Sequence, residues 1–257
     1  MASASEVAAF LDDLLSTARY PDYPAALNGL QLDHRGPLRR VVTAVDFSAG
    51  TIAGAIAADA NMLVLHHGMF WGGLQRLVGS AYERLRMLFD HDIAVYASHL
   101  PLDANQEIGN CALLARALGL ARTDRFGEYQ GTQIGVAGAS DLLTADLLAQ
   151  AVAFAGEFGG TARATAFVDG HRTRRWAVLT GSGADTATLR LAATQGIDTL
   201  ITGEGPHHTT VDAPDLGVVV IYCGHYASET LGVRALAQLI AERFGIPAEF
   251  LPVPTGS

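Results

Sequence analysis

Three stretches of this chain carry side chains able to bind cations or move protons. In Leu63-Val64-Leu65-His66-His67-Gly68-Met69-Phe70-Trp71, two adjacent imidazoles follow an apolar run. In Val95-Tyr96-Ala97-Ser98-His99-Leu100-Pro101-Leu102-Asp103, an imidazole and a carboxylate do the same. In Ile221-Tyr222-Cys223-Gly224-His225-Tyr226-Ala227-Ser228-Glu229, His225 and Glu229 are four apart, hence on one face of a helix. Neighbours on a strand point to opposite faces, so His66 and His67 serve one site only where the strand turns, as Gly68 permits, or hold one each of two adjacent cations. Asp103 suits a hard or borderline cation, and His99 suits a group behind a ligand or a general acid.

Alone, each stretch has a plainer reading: polar caps for His66-His67, an N-cap for Asp103, an exposed helical pair for His225 and Glu229. Together they place His or carboxylate after three apolar strands, expected on one rim of one sheet, where ligand sites of parallel sheets gather. Three histidines and two carboxylates without clustered thiolates suit Zn, Fe, Mn, Co or Ni rather than a cysteine-zinc knot. A bridging carboxylate, Glu229 or Asp103, would help hold two such ions. A dinuclear pair can activate water and clamp a hydrolytic transition state.

Other groups could line such a cleft. Glu204, in Thr202-Gly203-Glu204-Gly205-Pro206-His207-His208, is a candidate base or substrate contact; an exposed loop carboxylate is the alternative. His207-His208 reads as a helix start after Pro206 sooner than as a spare metal pair. Asp46 and Asn28 read as turn or cap residues, with support of a ligand histidine as the second possibility. Gly181-Ser182-Gly183 could cradle an anion. There is no Gly-x-Ser-x-Gly elbow, no phosphate loop and no dinucleotide fingerprint.

The elements that must position these residues alternate. Ser3-x-x-Glu6 opens a helix to about Ser16 as a capping box, and a loop rich in Pro and Tyr ends in Asn28-Gly29-Leu30-Gln31. Strands follow at 40–45, 62–65 and 93–97, with helices near 48–58, 82–89 and 107–118. After a polar stretch at 122–130 come strands near 133–136, 165–168, 176–179, 199–201 and 218–222. Helices fall near 142–155, 185–194 and 227–244. Such alternation implies parallel sheets with flanking helices. Val41–Gly68 and Ala177–Glu204 align without a gap as strand, turn, Ala-rich helix, strand; either this is the likeness of any two βαβ units, or the halves share a fold and Thr202-Gly203-Glu204 stands where His66-His67-Gly68 does in the first copy.

With 257 residues, 49% hydrophobic and 17% charged, the chain has the composition of a globular α/β protein. A net charge of −9 argues against direct nucleic-acid binding. Arg39-Arg40 and the run Arg172 to Arg175 are too short to reverse that and read as surface charge. No apolar run reaches the roughly 20 residues of a membrane helix. The opening residues lack a secretory pattern, so a cytoplasmic setting is expected. Cys111 and Cys223 are then expected as free thiols, Cys223 as a buried strand thiol sooner than a ligand.

The ordered motifs Asn28-Gly29-Leu30-Gln31, His66-His67-Gly68-x-Phe70-Trp71, Ser98-His99-x-x-Leu102-Asp103, Thr202-Gly203-Glu204 and Gly224-His225-Tyr226-Ala227-x-Glu229 resemble the NGG-interacting-factor-three-like dinuclear metal-centre family, in particular its compact bacterial YbgI-like branch. The resemblance spans nearly the whole chain. It implies two similar, interleaved α/β domains, residues 1–124 plus 223–257 and residues 125–222, each a mostly parallel or mixed sheet flanked by helices. It implies His66, His67, Asp103, His225 and Glu229 as ligands of two divalent ions, with Glu229 bridging, in a ring-shaped homohexamer. Longer members carry an inserted domain that this chain is too short to hold. Tyr226 stands where compact relatives tend to show a second histidine. The family's label, GTP cyclohydrolase homologue, points to hydrolysis of a small nucleotide or pterin-like molecule with Glu204 and His99 as acid or base. The alternative is a non-enzymatic metal chaperone or store, or a regulatory interaction protein.

Overall fold

A computed structural model describes residues 2–256. The chain forms two units: the residues up to Leu102 with Gly232–Val253, and Asp103–Leu231 with the segment from Pro254 onward. The boundaries expected from sequence, 124/125 and 222/223, both fall inside the second unit.

In the first unit the Ser3/Glu6 capping box forms as expected and starts α1 (Ala4–Leu15), which buries Val7, Leu11 and Leu15 at helical spacing. Then come β1 (Gly29–Leu32), β2 (Val41–Asp46), α2 (Ala49–Ala57, capped by Ser48), β3 (Met62–His67), α3 (Ser80–Asp90) and β4 (Ala94–Ala97). The chain leaves this unit within α4 (Leu100–Ala104). The sheet order is β1-β4-β3-β2 plus the last strand of the chain, with β4, β3 and β2 parallel and β1 antiparallel at the edge. β3 is buried at all six positions, which is why it reads as an unbroken apolar run. One core cluster joins Val42, Ala44, Leu63, Leu65, Val95 and Ala97 to Ile52 and Ala55 of α2 and Leu88 of α3.

The second unit contains α5 (Asn110–Ala117), β5 (Arg122–Tyr129), β6 (Thr132–Leu143), α6 (Thr144–Gly156), β7 (Arg163–Ala164), β8 (Arg172–Leu179), α7 (Thr186–Thr194), β9 (Thr199–Thr202), α8 (His207–Asp215) and β10 (Val219–Tyr222). Its sheet runs β5-β6-β8-β9-β10-β7, with β8, β9 and β10 parallel and the other pairings antiparallel. Trp176 and Val178 face a cluster with α5 and α6, while Ala177 and Leu179 face one with Leu189 and Ala192 of α7 and Ala213 of α8. Strict alternation along one strand thus serves two helical layers. The chain returns to the first unit within α9 (His225–Phe244) and ends in β11 (Ala248–Phe250), paired with β2.

Three expectations need correction. The polar stretch 122–130 is strand β5, hairpinned to β6 through Gln130 and Gly131, both at positive φ. The segment 165–168 is not a strand; the pairing with β10 is made just before it by Arg163 and Ala164. The single rim expected for the three histidine-bearing strand ends is two rims, because β10 pairs with β9 and β7, whereas β3 and β4 lie in the other sheet. The internal repeat does appear as β2-α2-β3 and β8-α7-β9, both parallel. Val41 pairs with Met62 but Ala177 with Leu200, a register two residues apart that keeps each residue on its face.

Among the described residues no helix is long and apolar enough to cross a membrane. The short basic runs are partly matched by acids: Arg39 meets Asp59, Arg40 meets Glu249 and Arg172 meets Asp141.

Candidate metal centre

In the first unit, parallel pairing brings the carboxyl ends of β2, β3 and β4 to one edge. Asp46 stands opposite His67 in the β2–β3 register, and its Oδ1 lies 2.8 Å from His67 Nδ1. His66 Nδ1 lies 2.9 Å from the carbonyl oxygen of Ser98, just past β4. His99 Nδ1 lies 2.8 Å from Asp22 Oδ1. A carbonyl and two carboxylates accept hydrogen bonds, so each Nδ1 carries the proton and each imidazole has its lone pair on Nε2. All three rings are buried, and each offers a nitrogen within 4.8 Å of the others.

The turn after β3 is pinned by Gln31, whose Oε1 accepts from Met69 N at 2.7 Å while its Nε2 donates to the carbonyls of Ala26 and Leu27. A Cβ on Gly68 would run into the Gln31 amide and the Ala97 methyl, so this close approach requires glycine. Asn28 secures the other loop: its Oδ1 accepts from His99 N at 2.7 Å, and its Nδ2 donates to Asp22. Half-buried Asp22 gathers four donors, from Tyr23 N, Asn28, His99 and Leu100 N. Burial opposes its ionisation, yet the hydrogen bonds from His99, Asn28 and the Leu100 amide, with the electrostatic pull of the His99 N–H, hold its pKa below the usual carboxylate value. Trp71 stacks on His67 at 4.6 Å between ring centres and leans on His99 at 4.3 Å, with Tyr23 edge-on to Trp71.

In the second unit, the ends of the parallel strands β8, β9 and β10 deliver Thr180 and Gly181, Glu204, and His225. Asp103, on α4, accepts from Asn110 Nδ2 at 2.8 Å and from Thr180 Oγ1 at 3.0 Å. His225 is the first residue of α9, and Glu229 lies one turn on. His225 Nε2 is 3.1 Å from Glu229 Oε2, while its Nδ1 is 2.9 Å from Glu204 Oε1. Glu204 also accepts from Ser182 Oγ. Glu204 therefore orients an imidazole, and Ser182 in turn holds Glu204. Carboxylate oxygens of buried Asp103 and Glu229 lie within 4.8 Å. Two like charges so close in a low dielectric repel, and a cation between them relieves the cost. Gly181, at φ 60°, makes room: a Cβ there would overlap the Glu229 carboxylate and come within 3.3 Å of His225 Nε2.

Burial alone would lower the His225 pKa, but hydrogen bonds to Glu229 and Glu204 and their charges outweigh it and raise it to about 9. The same contact with His225 lowers Glu204, against partial burial. Without a metal, a proton on His225 supplies positive charge between two carboxylates; a metal would displace it. The thiols add nothing to the donor set: burial, reinforced by the Asp103 charge, pushes Cys111 to about 12, and burial alone does so for Cys223. Both are free and buried, as expected. His207 and His208 open α8 after Pro206.

The five ligand candidates and both acid-base candidates thus fall into two groups, His66, His67 and His99 in one unit, and Asp103, Glu204, His225 and Glu229 in the other. The donors, imidazole nitrogen and carboxylate oxygen, fit a borderline divalent ion. Sequence reasoning passed over Asp22, Asn110 and Thr180, and took Ser182 only as part of a possible anion cradle. Their only signal is position, one polar residue in a Pro/Tyr-rich loop or beside a glycine.

Two α/β units whose parallel strand ends carry buried histidines and carboxylates define a class of protein with a candidate metal site. The chain belongs to the Duf34/NIF3 (NGG1p interacting factor 3) family, whose model matches residues 2–255. It is 41% identical to a protein of Deinococcus radiodurans named GTP cyclohydrolase 1 type 2 homolog, over 98% of this chain and 93% of that one. A protein of the same name from Halobacterium salinarum is also 41% identical, over 98% of both chains. Among solved structures, protein ybgI, titled as of unknown function, superposes with a TM-score of 0.89 at 28% identity over 100% of both chains.

Proposed function

We propose that His66, His67, Asp103, His225 and Glu229 together hold two divalent metal ions, with Glu229 bridging, and that the loaded protein hydrolyses a small molecule. The observation that carries this reading is the shared orientation of the imidazoles. In His66, His67 and His225, Nδ1 is tied to an acceptor, which leaves Nε2 as the atom that would ligate, a pattern that surrounds metal sites. Bound there, two divalent ions would supply Lewis acidity toward water and substrate oxygen. The chain's own residues set the stage: Asp46, Ser98 and Glu204 fix ring orientation, and Asn110 and Thr180 fix the Asp103 carboxylate. His99 and Glu204 are the candidates to take or give a proton beside the substrate.

The substrate class follows from the relatives' name, and a purine nucleotide such as GTP is the first to test. The family resemblance further supports a homohexamer acting in the cytoplasm, which light scattering and cell fractionation check. The central experiment pairs metal analysis of freshly purified protein with a substrate screen of wild type, Asp103→Ala and Glu229→Ala. Two equivalents of metal and a turnover abolished in both variants are expected. Stoichiometric metal without metal-dependent turnover on any nucleotide, cyclic amide or ester would turn the reading to a metal handler.

A further inference from the structure

We propose that His66, His67 and His99 form a three-imidazole metal site contained within the first unit, able to load one borderline divalent ion without any carboxylate ligand. The inference rests on reading His66 and His67 as ligands and adds a third ligand, His99, which gives up the proton-transfer role proposed above whenever its Nε2 holds the ion.

Three observations lie behind it. First, the three residues are 1%, 5% and 7% exposed, and each offers a nitrogen within 4.8 Å of the others. Second, His99 is held as a ligand would be. Its contact with Asp22, at 2.8 Å, repeats the His67 contact with Asp46, also at 2.8 Å, so its lone pair likewise lies on Nε2. Asp22 is itself fixed by backbone amides and Asn28, so ring orientation is set before any ion arrives. Third, the ring centres of His66, His67 and His99 are separated by 4.7, 5.1 and 5.6 Å, and Trp71 packs on two of the rings.

Three neutral nitrogens select Zn(II), Co(II) or Ni(II) over Mg(II) or Ca(II), which take oxygen. Three protein ligands leave a further coordination position, the arrangement of a site that exchanges ligands rather than one sealed for structure. His99 would thus let the first unit capture an ion by itself.

The test uses the full chain carrying Asp103→Ala and Glu229→Ala, titrated with Co(II) and followed by visible absorption. One equivalent is expected to bind, unaffected by adding His225→Ala. Adding His99→Ala is expected to weaken it by more than about 100-fold, beyond the loss typical of removing an orienting partner. Unchanged affinity and spectrum after His99→Ala would overturn the proposal, as would absence of any binding to the carboxylate-free chain. If the chain lacking only Asp103 and Glu229 binds nothing, two equivalents bound by wild type would still uphold the dinuclear reading; no binding by wild type would remove both. Because a variant can fail to fold, wild type with 15N-labelled histidine provides a second measure. Substoichiometric Zn(II) should shift the Nε2 resonances of all three histidines while Nδ1 stays protonated. A His99 resonance that does not move would overturn the proposal equally.

Discussion

Asp46 and His67 end two neighbouring parallel strands in register, and the carboxylate of the first accepts the Nδ1 proton of the second at 2.8 Å. The contact fixes which nitrogen of His67 can bind a cation. Asp46 is therefore expected to act on metal affinity without touching the metal. Asp46→Ala should weaken Zn(II) binding by about 10–100-fold. Circular dichroism should stay unchanged, because Asp46 ends its strand and is partly exposed. Affinity measured against a competing chelator decides it, and an unchanged Kd would show that β3 alone orients the ring.

Gly181 separates backbone strain from crowding. At φ 60° any side chain costs about 1 kcal/mol, and a methyl there also meets the Glu229 carboxylate. Gly170, at φ 77°, has nothing within 4 Å of an added methyl and is the control. Both alanine variants should lose about 1 kcal/mol from strain in urea unfolding. Gly181→Ala alone should lose more than that and bind metal more weakly.

Asn28 serves the His99 amide with its oxygen and Asp22 with its nitrogen. Asn28→Ala should cost about 1–3 kcal/mol by leaving these buried groups unpaired. Asn28→Asp keeps the acceptor but sets a second carboxylate against Asp22. If charge matters as argued, this variant is the less stable of the two at pH 7, and the order reverses near pH 3. Thermal midpoints at both pH values check it.

Cys111 and Cys223 should be inert toward a thiol reagent at pH 8 and react fully on unfolding in urea. Their folded pKa values, raised to about 12, also set a sign. The unfolded thiols ionise near pH 8.5 while the folded ones keep their protons. Stability from these residues is complete below about pH 8.5 and falls as pH climbs toward 12. Cys111→Ala/Cys223→Ala should flatten the alkaline limb of the stability profile.

A single chelation experiment bears on the proposed centre as a whole. Dialysis against a strong chelator should lower the melting temperature, and Zn(II) should restore it in proportion to the logarithm of free metal, because an ion that binds only the folded chain stabilises by mass action. A melting curve indifferent to chelator and metal would count against occupancy by any tight ion.

Much of the fold was legible because its signals are local. The Ser3/Glu6 box and the unbroken run Met62 to Leu65 each depend on residues a few positions apart. The edge strands were not. β5 buries only Phe126 and Gly127, so its sequence is polar, and it is a strand because β6 supplies its hydrogen bonds. β1 and β11 are short and owe their form to β4 and β2 in the same way.

For the candidate site, the sequence by itself determined the chemistry: which imidazoles and carboxylates stand at strand ends and helix starts, and hence the kind of ion they suit. Only the tertiary structure decided their alliances. That Asp22 faces His99 from 77 residues away, that Glu204 orients His225, and that Gly181 leaves room for Glu229 follow from how strands pair. Residue type fixes what a side chain can donate or accept, but which partner it meets is set by sheet register and loop closure, and these are properties of the whole packed unit.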